Sequence, residues 1–285
     1  MDIKWVLALL FITLPSHATD NLILFYENPK INRQQLAYYT ELLTTAIDET
    51  RFDYPNTRLQ PVTIPMSQSR LIKSLQAGEI LDVTWLMTSK AREQNLLPIS
   101  IPLLKGLMGY RLLLINKGHQ YKFSNISTLA QLKKLAGGQS FDWPDTEILL
   151  NNGLVLVTGP ASTLHKMLLA NRFDYFPRGI SEIWREEELF DTLVIEKKLL
   201  LHYPAVEYFF VQAGNIGLAQ QIELGLKRAK KNGRFEAIFQ RHSLFNRSIE
   251  KANLAQRTII ELKNPALSLA TQKELANTGL VLSPK

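Results

Sequence analysis

Short apolar runs alternate with stretches of helical periodicity along the first ninety residues. Residues 22–26 (LILFY) read as a buried strand, ended by Asn28-Pro29. From 33 to 50, Leu36, Tyr39, Leu42, Leu43, Ala46 and Ile47 recur at helical spacing. Residues 57–64 read as a second strand, and Ser67 opens a helix through Ile72 and Leu75 that Gly78 closes. Residues 80–85 (ILDVTW) form a third strand. Strand, helix, strand, helix, strand at this spacing predicts parallel βαβ units. The middle of the chain repeats the scheme. Strands are predicted at 112–115, 153–158, 174–176 and 193–201, and helices at 127–135, 162–169 and 181–190. Gly137-Gly138 is expected to terminate the first of these helices. A late strand, 208–211 (YFFV), is expected to return to the sheet of the first unit, and the tail after it reads as purely helical.

The N-terminal pattern differs. Lys4 precedes an apolar run over 5–14, Pro15 and Ser16 break it, and Ser16-His17-Ala18 places small residues at the −3 and −1 positions of a cleavage site. Ten apolar residues fall short of the roughly 20 that span a bilayer as a helix. The layout predicts a secretory signal peptide over 1–18, a mature start at Thr19 and a periplasmic location. With no cysteine in the chain, disulfides, thiolate metal sites and a cysteine nucleophile are excluded. The formal charge of +7 is dispersed. Its densest run, Lys227-Arg228-Ala229-Lys230-Lys231, closes a helical pattern, where cations suit the helix terminus. Export argues against a nucleic-acid partner, so the charge mildly favours an anionic or zwitterionic ligand.

Several segments, taken in order, carry a resemblance. Thr88-Ser89-Lys90-Ala91-Arg92 follows the third strand. Ile101-Pro102-Leu103 and Gly109-Tyr110-Arg111-Leu112-Leu113-Leu114-Ile115 lead into the second unit. Asn171-Arg172-Phe173-Asp174-Tyr175-Phe176 opens a later strand, and Gly225-Leu226 to Gly233-Arg234-Phe235 lies in the tail. Together they resemble the periplasmic solute-binding proteins of the family 3 type, the polar amino-acid binders of ABC importers. The resemblance covers nearly all of the mature chain and is closest to a divergent branch. It implies an α/β, two-lobed type II periplasmic-binding fold with an interlobe crevice. Lobe one would take residues 19–107 plus 205–285, including the helical tail, and lobe two residues 108–204. It further implies that Arg92 binds a ligand carboxylate and that Asp174 holds an amine. The chain also departs from the family pattern. The segment ending at Arg92 is one residue longer than usual, Tyr175 stands where a small residue is usual, and the turn opening the helix of lobe two is replaced by residues 138–146, with Asp142 and Trp143.

Other candidates come from the residues themselves. Pro177 fixes the backbone ahead of Arg178-Gly179, so Arg178 is expected to enter the crevice and offer a bidentate fork to an anionic oxygen. In the open state it would face solvent and matter little for stability. Trp143 and Trp85 are placed to cover the apolar part of a ligand, the latter near the end of a strand, where open sheets bind ligands. The histidines lack metal spacing, and Ser162 is not in a nucleophile elbow. The expected activity is reversible capture of a small polar solute by a monomer without cofactor or catalysis, for an ABC permease or a membrane sensor. The alternative is a solute-binding-like periplasmic protein with a structural or enzymatic role.

Overall fold

A computed structural model describes residues 21–29 and 32–278. The expected signal peptide and cleavage site lie outside them. Along the chain, β1 (Asn21–Tyr26), α1 (Arg33–Glu49), β2 (Thr57–Val62), α2 (Gln68–Ala77) and β3 (Val83–Met87) form the first unit, followed by α3 (Lys90–Asn95) and β4 (Leu96–Ile99). The Ser67 hydroxyl accepts the Arg70 N–H at the start of α2, and Gly78 ends the helix in the left-handed conformation at φ 67°. The middle region runs β5 (Tyr110–Asn116), α4 (Leu129–Leu132), β6 (Ala136–Ser140), α5 (Pro144–Asn151), β7 (Val155–Gly159), α6 (Leu164–Leu169), β8 (Phe176–Gly179), α7 (Ile183–Leu189), β9 (Leu193–Ile195) and β10 (Leu199–His202). Last come β11 (Glu207–Gln212), α8 (Ile216–Lys231), α9 (Arg234–Arg241), α10 (Ser243–Ala252), β12 (Thr258–Glu261) and α11 (Leu269–Thr278).

The first sheet has the order β2-β1-β3-β11-β4. Its β1–β2 and β1–β3 pairs are parallel, and β11 lies antiparallel between β3 and β4. The late strand therefore belongs to this sheet. The second sheet has the order β12-β10-β5-β8, with β9 also on β5, and the parallel pair β6–β7 adjoins it through a bridge from Gly137 to Tyr175. Every residue of β5 is buried, as expected of a strand covered on both faces. The segments joining the sheets touch: the Tyr203 N–H donates to Gly109 O at 3.2 Å, and a Cβ at Gly109 would overlap the Tyr203 carbonyl oxygen.

Several elements differ from the sequence reading: β4 was not expected, and the single strand expected over 193–201 is the pair β9 and β10. The tail is not purely helical, because Asn253 stops α10 in the left-handed conformation (φ 47°) and the β-branched run Thr258-Ile259-Ile260 pairs in parallel with β10. Gly137 and Gly138 lie inside β6 instead of ending a helix. A Cβ at Gly138 would collide with the Phe173 ring, so close packing required the glycine. The helix expected over 127–135 contracts to α4, whose cap is Thr128, in a capping box with Gln131. Among the described residues no helix is long and apolar enough to cross a membrane.

Candidate ligand-binding cavity

A cavity of about 710 Å³ lies between the two sheets. Its walls include Tyr26, Gln68, Trp85 and Met87 from the first unit and Arg111, Ser140, Trp143 and Arg178 from the second. Tyr26, Met87 and Ser140 are the last residues of β1, β3 and β6. The cavity thus opens at the carboxyl ends of parallel strands, the usual ligand position in open α/β sheets. A neighbouring cavity of about 640 Å³ shares Asp142 and Trp143 with it and, unlike it, is lined by Arg92.

Ser89 caps α3 and places Arg92 in its first turn, where the side chain folds inward and is buried. The guanidinium donates to Met87 O at 2.7 Å, to Gln68 Oε1 at 2.6 Å and, at 3.4 Å, to Asp142 O across the cleft. These acceptors are neutral, and among the described residues Arg92 makes no ion pair. Burial pulls its pKa down to about 10.

Arg178 lines the main cavity, but it is not a free fork. Its Nε donates to Glu186 at 2.7 and 2.8 Å, and its Nη2 lies 2.6 Å from Glu186 and 3.1 Å from Glu182. The guanidinium carbon is 4.9 Å from the ring centroids of both Trp143 and Phe176. Burial alone would lower the Arg178 pKa, but Glu186 and Glu182 outweigh it and hold the group charged. Glu186 also meets His165 Nε2 at 3.0 Å. Glu186 comes from α7 and Glu182 from the position just before it.

Trp143 precedes α5, where Pro144 at the first helical position suits the fixed φ of proline. Its ring is stacked with that of Phe176 at 6.2 Å. One turn further in, Asp145 holds Arg111 at 2.7 Å and accepts the Tyr203 hydroxyl, which in turn accepts Arg111 Nε at 2.8 Å. Asp142 reaches back over the cleft, with Oδ2 3.3 Å from the Ser69 N–H and 3.4 Å from its hydroxyl in α2. Trp85 is nearly buried and stacks on Tyr39 of α1 with centroids 4.7 Å apart.

Asp174 is placed elsewhere. The Gly137–Tyr175 bridge sets it opposite Ala136, whose N–H it accepts at 3.0 Å, and Lys122 pairs with it at 2.6 Å. It lines neither cavity, so the expected amine contact is replaced by a local tie between β6 and the chain entering β8.

Glu207 was missed by the sequence reading. It opens β11, is 7% exposed, lines the main cavity and accepts the Tyr39 hydroxyl. Burial pushes its pKa up to about 7, with the Tyr39 hydrogen bond opposing the rise, Glu182 adding to it, and Arg111 and Arg92 opposing it from a distance. The available signal was an acidic residue at the head of the apolar run Glu207-Tyr208-Phe209-Phe210-Val211, where an ion is costly to bury. Among the described residues no cluster of side chains suits a metal ion.

No protein-family model and no curated protein matches this sequence. Solved structures do match. An ancestral arginine-binding protein bound to arginine is 16% identical, with a TM-score of 0.58 over 79% of this chain and 98% of that one. An arginine-specific periplasmic binding protein of Salmonella typhimurium gives 16% and 0.58 over 77% and 98%. An ancestral amino-acid-binding protein, a precursor of cyclohexadienyl dehydratase, gives 12% and 0.57 over 77% and 94%. With its two sheets, its crossing segments and the cavity between them, this chain has the two-lobed type II fold of periplasmic binding proteins.

Proposed function

We propose that this protein captures a small polar, amino-acid-like solute between its lobes, outside the cytoplasm, and presents it to an ABC permease or a membrane sensor. It acts as a monomer and catalyses no reaction of its own. The observation that carries this reading is the cavity of about 710 Å³, walled by both lobes at the strand ends and combining aromatic faces with buried charge. The solved structures of the same fold include proteins bound to arginine and to glutamine, which favours a free amino acid. We take lobe one as 19–107 with 205–285 and lobe two as 108–204, with β12 of the tail lent to the second sheet.

Arg92 is the group for the ligand's anionic end. It is a buried cation in the wall of the neighbouring cavity, next to the Asp142–Trp143 edge that the two cavities share. Its direct acceptors are neutral and its nearest carboxylates act on it only from a distance, so a ligand reaching across that edge would give it a direct ion pair. Trp143 and Trp85 cover the apolar part, and Arg178 with its two glutamates fixes the wall of lobe two. A thermal-shift screen of amino acids, organic acids, small peptides and sugars tests the reading, because a ligand that binds only the folded protein raises its melting temperature. An amino acid is expected to score, and Arg92→Ala to abolish the shift. If no compound of any class stabilised the protein, the reading would fail.

A further inference from the structure

The overall charge of the protein is +7, yet five carboxylates line the main cavity against three arginines. Most of those carboxylates are already matched. Asp145 is paired with Arg111, and Glu182 and Glu186 with Arg178. Asp142 is only partly buried and accepts the Ser140 hydroxyl at 2.7 Å and the Ser69 N–H. Glu207 differs from all of these. It is more than nine-tenths buried, its hydrogen-bond donor is the neutral Tyr39 phenol, and among the described residues it makes no ion pair.

The sheet register fixes what lies beside it. Glu207 is opposite Met87 and Phe209 is opposite Trp85, so Glu207 and Trp85 project from the same face of neighbouring antiparallel strands. Tyr39 covers both, stacking on the Trp85 ring and donating to one oxygen of Glu207. That places the carboxylate beside an aromatic pair in a cavity wall, an arrangement that suits a cation through charge and ring quadrupole together.

We propose that the ligand carries a positively charged side-chain group, an ammonium or guanidinium in addition to any α-amino group, and that Glu207 is the residue that reads it. This rests on the solute-binding reading above and narrows it. Arg111 and Arg92 act on the carboxylate only from a distance, so pairing with such a group gives it a direct ion pair, whereas a neutral analogue of the same shape leaves it buried without one. Glu207 therefore acts as a specificity determinant as well as a contact.

The test is titration calorimetry of the full mature chain with arginine, lysine, glutamine, glutamate and citrulline, the last matching arginine in size but carrying a neutral ureido group. Arginine or lysine is expected to bind at least about 30-fold more tightly than citrulline and glutamine. Glu207→Gln is expected to remove most of that gap, and Glu207→Asp, which keeps the charge, to retain part of it. Melting of the unliganded variants reports whether each is folded; if Glu207→Gln is not, the arginine–citrulline comparison on the native protein decides. Equal affinity for citrulline and arginine, or a preference for glutamate, would overturn the inference and leave the solute-binding reading standing. So would a cation preference unchanged in folded Glu207→Gln. Binding of none of the five, with none in the wider screen, would count against both.

Discussion

At Arg178 the guanidinium is shared between two carboxylates and two aromatic rings, and its side chain is only 13% exposed. Truncation leaves Glu186 and Glu182 close together without their cation. Arg178→Ala is therefore expected to destabilise the unliganded protein by about 3 kcal/mol in urea unfolding, with Arg178→Lys recovering only part because the fork is lost. The sequence reading expected little effect, because Arg178 was expected to face solvent with the lobes open; the fold instead closes Glu182 and Glu186 around it. Glu207 gives a pH signature. Its folded pKa of about 7 lies above the ordinary 4.5, so between those values the folded state keeps a proton that the unfolded chain has released. Stability from this group is full below about pH 4.5, declines as the pH rises towards 7 and stays low above it, a difference of about 3 kcal/mol. Urea unfolding near pH 5 and pH 8 is expected to show Glu207→Gln gaining on the native protein at the higher pH. Arg92, Trp143 and Trp85 were singled out on helix starts and a strand, and the structure sets Trp85 in the main cavity wall, Arg92 in that of the neighbouring cavity and Trp143 in both. Asp174 was misplaced because a motif gives a position in the chain, and its strand partner decides where the side chain goes.

Among the elements, α1 and α8 pack so closely that a Cβ at Gly225 would overlap the carbonyl oxygen of Ala46. Gly225→Ala must push the two helices apart and is expected to cost about 3 kcal/mol. Gly217→Ala in the same helix faces open space and is expected to change stability by less than about 1 kcal/mol; chemical denaturation of the two variants separates packing from helix propensity. Local periodicity made α1, α2 and the parallel strands of the first sheet readable, since their apolar faces repeat with the period of the element. β4 and β12 escaped because each has only four residues, and their pairing partners lie far away in the chain. Gly138 misled for a related reason. In a sequence a glycine pair signals a break, whereas here it makes room for a ring from residue 173.

At the scale of the whole molecule, the tail leaves the first lobe after α10, gives β12 to the second sheet and returns to dock α11, where Thr271 Oγ1 donates to Glu93 at 2.9 Å. On the way back it runs beside the other crossing. The Leu262 N–H donates to His202 O at 2.8 Å and the Asn264 amide to Pro204 O at 2.8 Å, while Tyr203 touches Gly109 on the opposite side. The passage between the lobes is thus a ribbon three segments wide. Cleaving the chain at an engineered protease site between Asn253 and Arg257 is expected to broaden the interlobe distances measured between paired spin labels, with the two sheets left intact. A single cord joining two bodies lets them swivel about its own axis, whereas a strap resists swivelling and folds only across its width. With lobes joined by such a strap, opening and closing in the proposed function are expected to follow one direction and to return opposing walls to the same registration.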